Sequence, residues 1–279
     1  EENNLATAEM MKAAGINIIY SIPGLKVHAK VALNAVAASP VKDSQLRYIS
    51  TGNFNEKTAT LYADCGLFTS NPVIVHDLTN LFRTLRGKEN PRFTRLLVAR
   101  FNLIPELNRL IDKEIELAEK EEAEEHLEDE RPARPNNDRP ALRGSQKGVK
   151  IDLIVRGICC LIPGQEYSCN IRVTRIVDSF LEHARIWYFG NAGHPKVYMG
   201  SPDWMRRNYI TIEAVVPILD NELREEIVDM LHIQLSDNQK ACFVDDKLNN
   251  IFKFKTNAAP VRAQYTFYNY LKEKNETFL

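Results

Sequence analysis

A histidine and a lysine stand two residues apart, as His28 and Lys30, within the otherwise apolar residues 27–33. Residues i and i+2 of a β-strand point to the same face, so an imidazole and an ammonium group would share one surface. A histidine beside a cation is a poor choice for packing but a good way to hold a phosphate. The pair therefore predicts a phosphate-handling site on a strand.

A second histidine and lysine with this spacing, His194 and Lys196, stand in the other half of the chain. Each pair is followed by a short turn that contains glycine, at residues 51–53 and 200–203. Such a weak internal repeat suits phosphoryl transfer through an enzyme intermediate. Histidine can act as nucleophile or as acid and base, because its ordinary pKa is about 6.5. Lysine and asparagine side chains would bind the phosphate oxygens.

The chain has 279 residues, 44% of them hydrophobic, and a formal net charge of −1. It can therefore form one large or two ordinary domains, and its charge predicts no nucleic-acid partner. No apolar run is long enough to span a bilayer, and EENNLATAEM at the start does not resemble a signal peptide. The five cysteines include no Cys-x-x-Cys pair. They argue against a disulfide framework or a zinc site and favour a reducing cytoplasm.

The order of strand-like and helix-like patterns predicts two α/β halves. Between them lies a highly charged stretch with three prolines, which predicts a linker. We therefore expect a first domain over residues 1–120, a charged linker over 121–148 and a second domain over 149–279. Within the second domain, the pattern of residues 171–184 favours an amphipathic helix.

Four longer segments resemble one known family: YSIPGLKVHAK, STGNFNEKTATLYAD, KIDLIVRGICCLIPG and KVYMGSPDWMRRN. They closely resemble the C-terminal catalytic half of bacterial polyphosphate kinase, a family of the phospholipase D superfamily with its twin HKD-type motifs. The resemblance covers most of residues 1–115 and 147–235. It implies two phospholipase D-like α/β domains with the active site at their seam. It also implies reversible transfer of the terminal phosphate of ATP to polyphosphate.

The resemblance assigns roles to individual residues. In the family, the histidine matching His28 becomes phosphorylated, and the residue matching Arg156 contacts nucleotide phosphate. Tyr62 matches a tyrosine that stacks on adenine. The Leu-Glu-His pattern makes His183 the second catalytic histidine and an ATP contact. The internal repeat alone would select His194 instead; we prefer His183 because its matching context is longer.

The remaining implied ligands are phosphates and a cation. We expect Lys30, Asn53, Asn55 and Lys196 to bind phosphate. Mg²⁺ is expected to enter with ATP, since no carboxylate cluster forms an obvious cage for it. ATP or ADP and inorganic polyphosphate are the implied partners. The resemblance also implies a homo-oligomer when full length and a cytoplasmic location, and it allows peripheral contact with the inner membrane.

Departures from the family pattern keep alternatives open. The sequence begins after a family segment that carries an arginine, so we expect a C-terminal fragment that lacks at least two upstream arginines. Residues 131–148 also differ from the strand and helix usual in the family. One alternative is a phosphodiesterase or phospholipid-processing enzyme of the same superfamily, against which Tyr62 and Arg156 argue. The other is a non-catalytic polyphosphate-binding module.

Overall fold

The computed structural model describes residues 2–20, 25–34, 46–87, 91–120, 124–129, 139–204, 211–254 and 258–276. Within these ranges the fold is mixed α/β. The helices are α1 (Glu2–Ala13), α2 (Glu56–Ala59), α3 (Pro72–Leu85), α4 (Leu103–Ala118), α5 (Arg139–Gln146), α6 (Asn221–Ser236) and α7 (Ala263–Glu276). The strands are β1 (Lys30–Leu33), β2 (Arg47–Ser50), β3 (Tyr62–Ala63), β4 (Gly66–Thr69), β5 (Leu97–Val98), β6 (Glu124–Asp129), β7 (Lys150–Val155), β8 (Ile171–Ile176), β9 (Leu181–Glu182), β10 (Ile186–Phe189), β11 (Lys196–Gly200), β12 (Ala214–Pro217), β13 (Ala241–Val244) and β14 (Asn250–Phe252).

The described strands form a small sheet, a large sheet and a short pair that links them. The small sheet is antiparallel, in the order β1-β2-β4, and the large sheet runs β14-β13-β8-β7-β6-β10-β11-β12-β5. Strands β6, β7 and β8 are parallel neighbours. The two-residue strands β3 and β9 pair in parallel and join the first half of the chain to the second.

Alternating side chains give the large sheet a hydrophobic core on each face. On β10, Trp187 and Phe189 pack with the apolar stripe of α4, whereas Ile186 belongs to the opposite core and Tyr188 packs against that core. That second core also contains Ile49 of the small sheet and Leu78 of α3. A strand presents successive side chains to opposite faces, so this division follows from its period of two. The two expected α/β halves are present, and they share one of these cores.

The predicted linker over residues 121–148 is where the fold differs most from expectation. The segment contains β6, which lies between β7 and β10 inside the large sheet, and α5, which packs on β7. Helix α4, assigned to the first domain, packs its buried leucines into the core of the large sheet. A strand with a neighbour on each side has its main-chain groups paired. This stabilisation does not depend on amino-acid composition, so the composition of the segment did not predict the strand.

A second difference concerns residues 171–184, which form β8 and β9 rather than a helix. Ile171 and Val173 are buried while Arg172 between them is exposed, so burial alternates from residue to residue as in a strand. Among the described residues, no helix combines the length and the apolar character needed to cross a lipid bilayer.

Candidate active site

His28 lies two residues before β1 and is held by the second half of the chain. Its main-chain N–H donates to the carbonyl of Ile212 at 2.9 Å. The ring Nδ1 lies 3.0 Å from Oε2 of Glu213, and Nε2 lies 2.7 Å from Nζ of Lys30. The Glu213 carboxylate is 1% exposed and can only accept, so Nδ1 carries the proton. Nε2 therefore presents its lone pair to the Lys30 ammonium.

Lys30 is the first residue of β1 and is buried. Burial lowers its pKa to about 8, and the negative charge of Glu213 opposes this shift. A second cation, Arg185, lowers the pKa further. An ammonium group with such a pKa is charged at neutral pH but poorly solvated, so it gains from a phosphate that replaces water.

His183 directly follows β9 and forms the matching pair with the first half. Its Nδ1 lies 2.6 Å from Oδ1 of Asp64, which directly follows β3. The main-chain N–H of His183 donates to the Ala63 carbonyl at 3.1 Å, as an extension of the strand pair. Burial lowers the pKa of His183, although the hydrogen bond to Asp64 opposes this. At neutral pH the imidazole is therefore neutral and able to take a proton.

Each acid is fixed by a hydroxyl group at the same relative position. Thr51 donates its Oγ1 proton to Asp64 at 3.0 Å, and Ser201 donates to Glu213 at 2.6 Å. The hydroxyls of Thr51 and Ser201 in turn accept the main-chain N–H groups of Cys65 and Ala214, the residues after the two acids. The two halves thus repeat one network, and each histidine bonds the acid of the other half.

This repeat corrects the alignment between the two halves that the sequence suggested. The counterpart of His28-Ala29-Lys30 is His183-Ala184-Arg185, and the pair His194 and Lys196 lies elsewhere. His194 is exposed at the end of a short turn, where its carbonyl accepts from the Asn191 side chain. Lys196 starts β11, four residues before Gly200, which is about 13 Å along a strand. The structure does not bring Lys196 to the two histidines.

The two cations at matching positions have different partners. Arg185 donates Nε and Nη2 to Oδ1 of Asp203, at 3.0 and 2.7 Å, and Nη1 to the carbonyl of His183 at 2.6 Å. All of these groups are buried. Lys30 instead reaches the ring of His28. The lysine thus contacts the ring of the first histidine, and the arginine fixes the main chain of the second.

Of the two predicted nucleotide contacts, Tyr62 lies beside His183, and Arg156 lies near Glu182, the residue before it. The ring of Tyr62 meets the His183 ring edge to face, with centroids 4.7 Å apart. Arg156 follows β7, and its charge acts on the carboxyl group of Glu182, the residue before His183. Burial raises the pKa of Glu182, and Arg156 opposes that shift.

The two predicted asparagines occupy the turn after β2. Asn53 is exposed and stands where Asp203 stands in the other half. The side-chain oxygen of Asn55 accepts the main-chain N–H groups of Lys57 and Thr58 at 3.0 and 3.1 Å. It therefore caps α2, and this oxygen is engaged in shaping the turn.

Sequence reasoning did not identify Asp64 and Glu213 as partners of the histidines. Each stands in or beside a short apolar strand segment, ahead of Cys65 and Ala214. A carboxylate buried in such a place needs a hydrogen-bonding or charged partner. An acidic residue within an apolar segment was therefore the signal available in the sequence. Aligning His28-Ala29-Lys30 with His183-Ala184-Arg185 would have supplied a second signal, the repeat that relates the two halves.

Such an arrangement, two α/β halves that each supply a histidine, an acid and a hydroxyl to one site, defines a twinned fold of phospholipase D type. The fold is similar to that of phosphatidylserine synthase from Haemophilus influenzae, with a TM-score of 0.50, 10% identity and coverage of 84% of this chain and 68% of that one. Residues 1–91 match polyphosphate kinase C-terminal domain 1, and residues 96–264 match C-terminal domain 2. The chain therefore belongs to the polyphosphate kinase family.

Individual relatives agree with this assignment. The chain is 39% identical to the polyphosphate kinase of Klebsiella pneumoniae and 40% identical to that of Yersinia pestis, each over 98% of its length. The crystal structure of polyphosphate kinase from Porphyromonas gingivalis is 49% identical and superposes with a TM-score of 0.92 over 98% of the chain. The match covers 40% of the two curated relatives and 43% of the crystallised protein.

Proposed function

We propose that this chain performs the chemical steps of polyphosphate kinase, reversible transfer of the terminal phosphate of ATP to polyphosphate through a phosphohistidine at His28. The proposal rests mainly on the contacts of the two ring nitrogens of His28. Glu213 holds Nδ1 at 3.0 Å and the Lys30 ammonium lies 2.7 Å from Nε2, in a chain of the polyphosphate kinase family. A neutral ring held in this tautomer is a nucleophile beside a cation that suits phosphate.

In the first step, the lone pair of Nε2 attacks the γ-phosphorus of ATP. The N–P bond forms as the bond between that phosphorus and the β–γ bridging oxygen breaks, and ADP leaves with the electron pair. The ring gains positive charge, which the Glu213 carboxylate stabilises through Nδ1–H. Lys30 moves from Nε2 to the transferring oxygens, where negative charge accumulates.

In the second step, a terminal oxygen of polyphosphate attacks the phosphohistidine. The N–P bond breaks, its electron pair returns to Nε2, and the polymer is one phosphate longer. The neutral imidazole of His183 accepts the proton of the attacking phosphate, and Asp64 stabilises the imidazolium formed. Each group works in reverse when ATP is made from polyphosphate.

The nucleotide would lie near β9, where Tyr62 pairs with Leu181 and Arg156 acts on Glu182. The Tyr62 ring offers a face or edge for adenine, and Arg156 offers a cation for nucleotide phosphate. Mg²⁺ would arrive bound to ATP. Within the described ranges, no group of three or more histidine, cysteine, aspartate or glutamate side chains is arranged to hold a metal. Asp64 and Glu213 are each engaged by a histidine and a hydroxyl, so they do not fit a metal cage, and no step above depends on one.

The test is ATP-dependent extension of a short polyphosphate primer by the full-length protein. The wild type should lengthen the primer and release ADP in equal amount, and His28→Ala should do neither. Bis-p-nitrophenyl phosphate, a diester, serves as the competing substrate. Hydrolysis of the diester without extension of polyphosphate would replace this proposal by a phosphodiesterase.

A further inference from the structure

The strand that carries His183 into the site is very short. β9 has two residues, and its strand partner β3 also has two. At the ends of this pair, the main-chain N–H of Leu181 donates to Leu61 at 2.9 Å and that of His183 donates to Ala63 at 3.1 Å. An isolated pair of strands is marginally stable in water, so this pair needs support from elsewhere.

A cavity borders part of the far face of the pair. Because side chains alternate, Ala63, Glu182 and Ala184 point away from Tyr62 and His183. They line a cavity of about 260 Å³ that α7 covers from the other side. Side chains that border such a cavity make fewer packing contacts than those of a fully packed strand.

The side chain of Gln264, in the first turn of α7, takes the place of a neighbouring strand. Its Oε1 accepts the main-chain N–H of Phe180 at 3.0 Å, and its Nε2 donates to the Phe180 carbonyl at 2.8 Å. An adjacent antiparallel strand would exchange the same two bonds with one residue. Nε2 also donates to Oε1 of Glu182 at 2.8 Å.

A charged pair beside Gln264 holds the same segment. Arg262 donates to both carboxylate oxygens of Asp178, at 2.8 and 2.6 Å, and to the hydroxyl of Ser179 at 3.0 Å. Residues 178–182 are thus tied to the start of α7 immediately before His183. The far part of α7 is bound separately to α6, where Tyr270 donates to Asp229 at 2.8 Å.

We propose that Gln264 is a positioning residue for His183, because its side-chain amide completes the hydrogen bonding of the strand that presents this histidine. The inference rests on the proposed function only for the acid–base role of His183; the positioning itself is a property of the folded chain. Gln264 acts through Phe180 and Glu182 and touches no reacting atom.

The test compares Gln264→Met with Tyr270→Phe. The first keeps the length and packing of the side chain and removes all three bonds to residues 180–182. The second removes one bond of the same helix, remote from β9. Ring NMR signals of histidine-labelled chain give the pKa of His183, identified by its loss in His183→Gln, and thermal unfolding gives Tm. Turnover is measured in the full-length protein.

In Gln264→Met we expect His183 to gain solvent, so that its pKa rises toward the ordinary value of about 6.5. Turnover should fall about tenfold to a hundredfold, as for a displaced catalytic group. Tyr270→Phe should lower Tm without changing the pKa of His183 or turnover. Gln264→Glu, which keeps one acceptor but repels Glu182, should show the same pKa change if Gln264→Met does not fold.

The proposal is wrong if the His183 pKa and turnover of folded Gln264 variants match the wild type. It is also wrong if Tyr270→Phe changes the His183 pKa and turnover as much as the Gln264 variants do, because the effect would then be a general loss of stability. The NMR readout needs no phosphoryl transfer. A shifted His183 pKa in a protein without kinase activity would therefore uphold the positioning and reject only the proposed function.

Discussion

At the scale of single residues, the two histidines differ in their surroundings. The His28 side chain is 29% exposed and has a lysine on Nε2, whereas that of His183 is 11% exposed and packs against Tyr62. A nucleophile must reach substrate, and an acid–base group must hold a pKa suited to proton transfer. The environments thus match the two proposed roles.

The pKa of Lys30, lowered to about 8, predicts an alkaline limit to activity. The ammonium is charged below this pH and loses its proton as pH rises through it, so kcat/KM should fall above about pH 8. In Lys30→Arg the charge persists, because a guanidinium stays protonated, and the fall should disappear even if the maximum is lower. The measurement is the pH profile of kcat/KM from 6 to 10. An identical fall in both proteins would assign it to another group.

The two candidate second histidines allow a direct comparison. His183→Ala should reduce turnover by about two or more orders of magnitude, the usual contribution of a general acid or base. His194→Ala should change it less than threefold, about 0.6 kcal/mol, since its side chain is exposed at a turn remote from the site. Steady-state rates of the full-length variants decide the matter. The reverse ranking would contradict the acid–base role of His183.

The residues with chemistry were predictable from sequence where the signal is local. His28 stands two positions before Lys30, the first residue of β1, so their spacing was sufficient. Their acidic partner is 185 positions from His28, and Asp64 is 119 positions from His183. Nothing in the local sequence joins residues so far apart. The pairing depends on how the two halves pack.

At the scale of elements, the turn after β2 fixes the distance between Thr51 and Asp64. A Cβ at Gly52 would lie 2.3 Å from Oδ2 of Asp64, well inside any real contact. Gly52→Ala should therefore push Asp64 away from His183 and lower turnover by about tenfold or more. Gly144→Ala is the matched control, because its Cβ would meet nothing nearer than 3.4 Å. Turnover and Tm of both variants are the measurements, and full activity in Gly52→Ala would show that Asp64 tolerates the shift.

Secondary structure was predictable where one pattern dominated. Helix α4 follows an apolar stripe of Leu103, Leu107 and Leu110, whose helical spacing can be read directly from the sequence. Strand β6 was not predicted because its stability comes from two neighbouring strands rather than from its own composition. The helix predicted at β8 was wrong because the alternating pattern of this strand is short.

At the scale of the whole molecule, the site depends on the seam between the two halves. His28 and Asp64 belong to the first half, and Glu213 and His183 to the second, so neither half alone contains a complete histidine–acid pair. The shared core that includes Ile49 and Leu78 keeps the halves in register. An error in their packing would separate both pairs at once.

The matched relatives are longer than this chain, which spans about two-fifths of their length. Phosphoryl transfer depends on cations around the transferring group, and one preorganised donor is worth about a hundredfold to a thousandfold in rate. We expect the 279-residue chain to fold, since both cores are formed within it, yet to turn over ATP at least about a hundredfold more slowly than a relative of full length such as the Yersinia pestis polyphosphate kinase. Parallel kinase assays and ATP titrations measure this. Activity within about tenfold would mean that Lys30 and its neighbours suffice.

The proposed mechanism depends above all on His28 carrying the phosphate between ATP and polyphosphate. This step is tested by incubating the full-length protein with ATP labelled in the γ-phosphate, followed by acid and alkaline treatment of the labelled protein. We predict label that is stable to base, labile to acid and chased by polyphosphate, and none in His28→Ala. Label at the wild-type level in His28→Ala, or label stable to acid, would contradict the phosphohistidine mechanism.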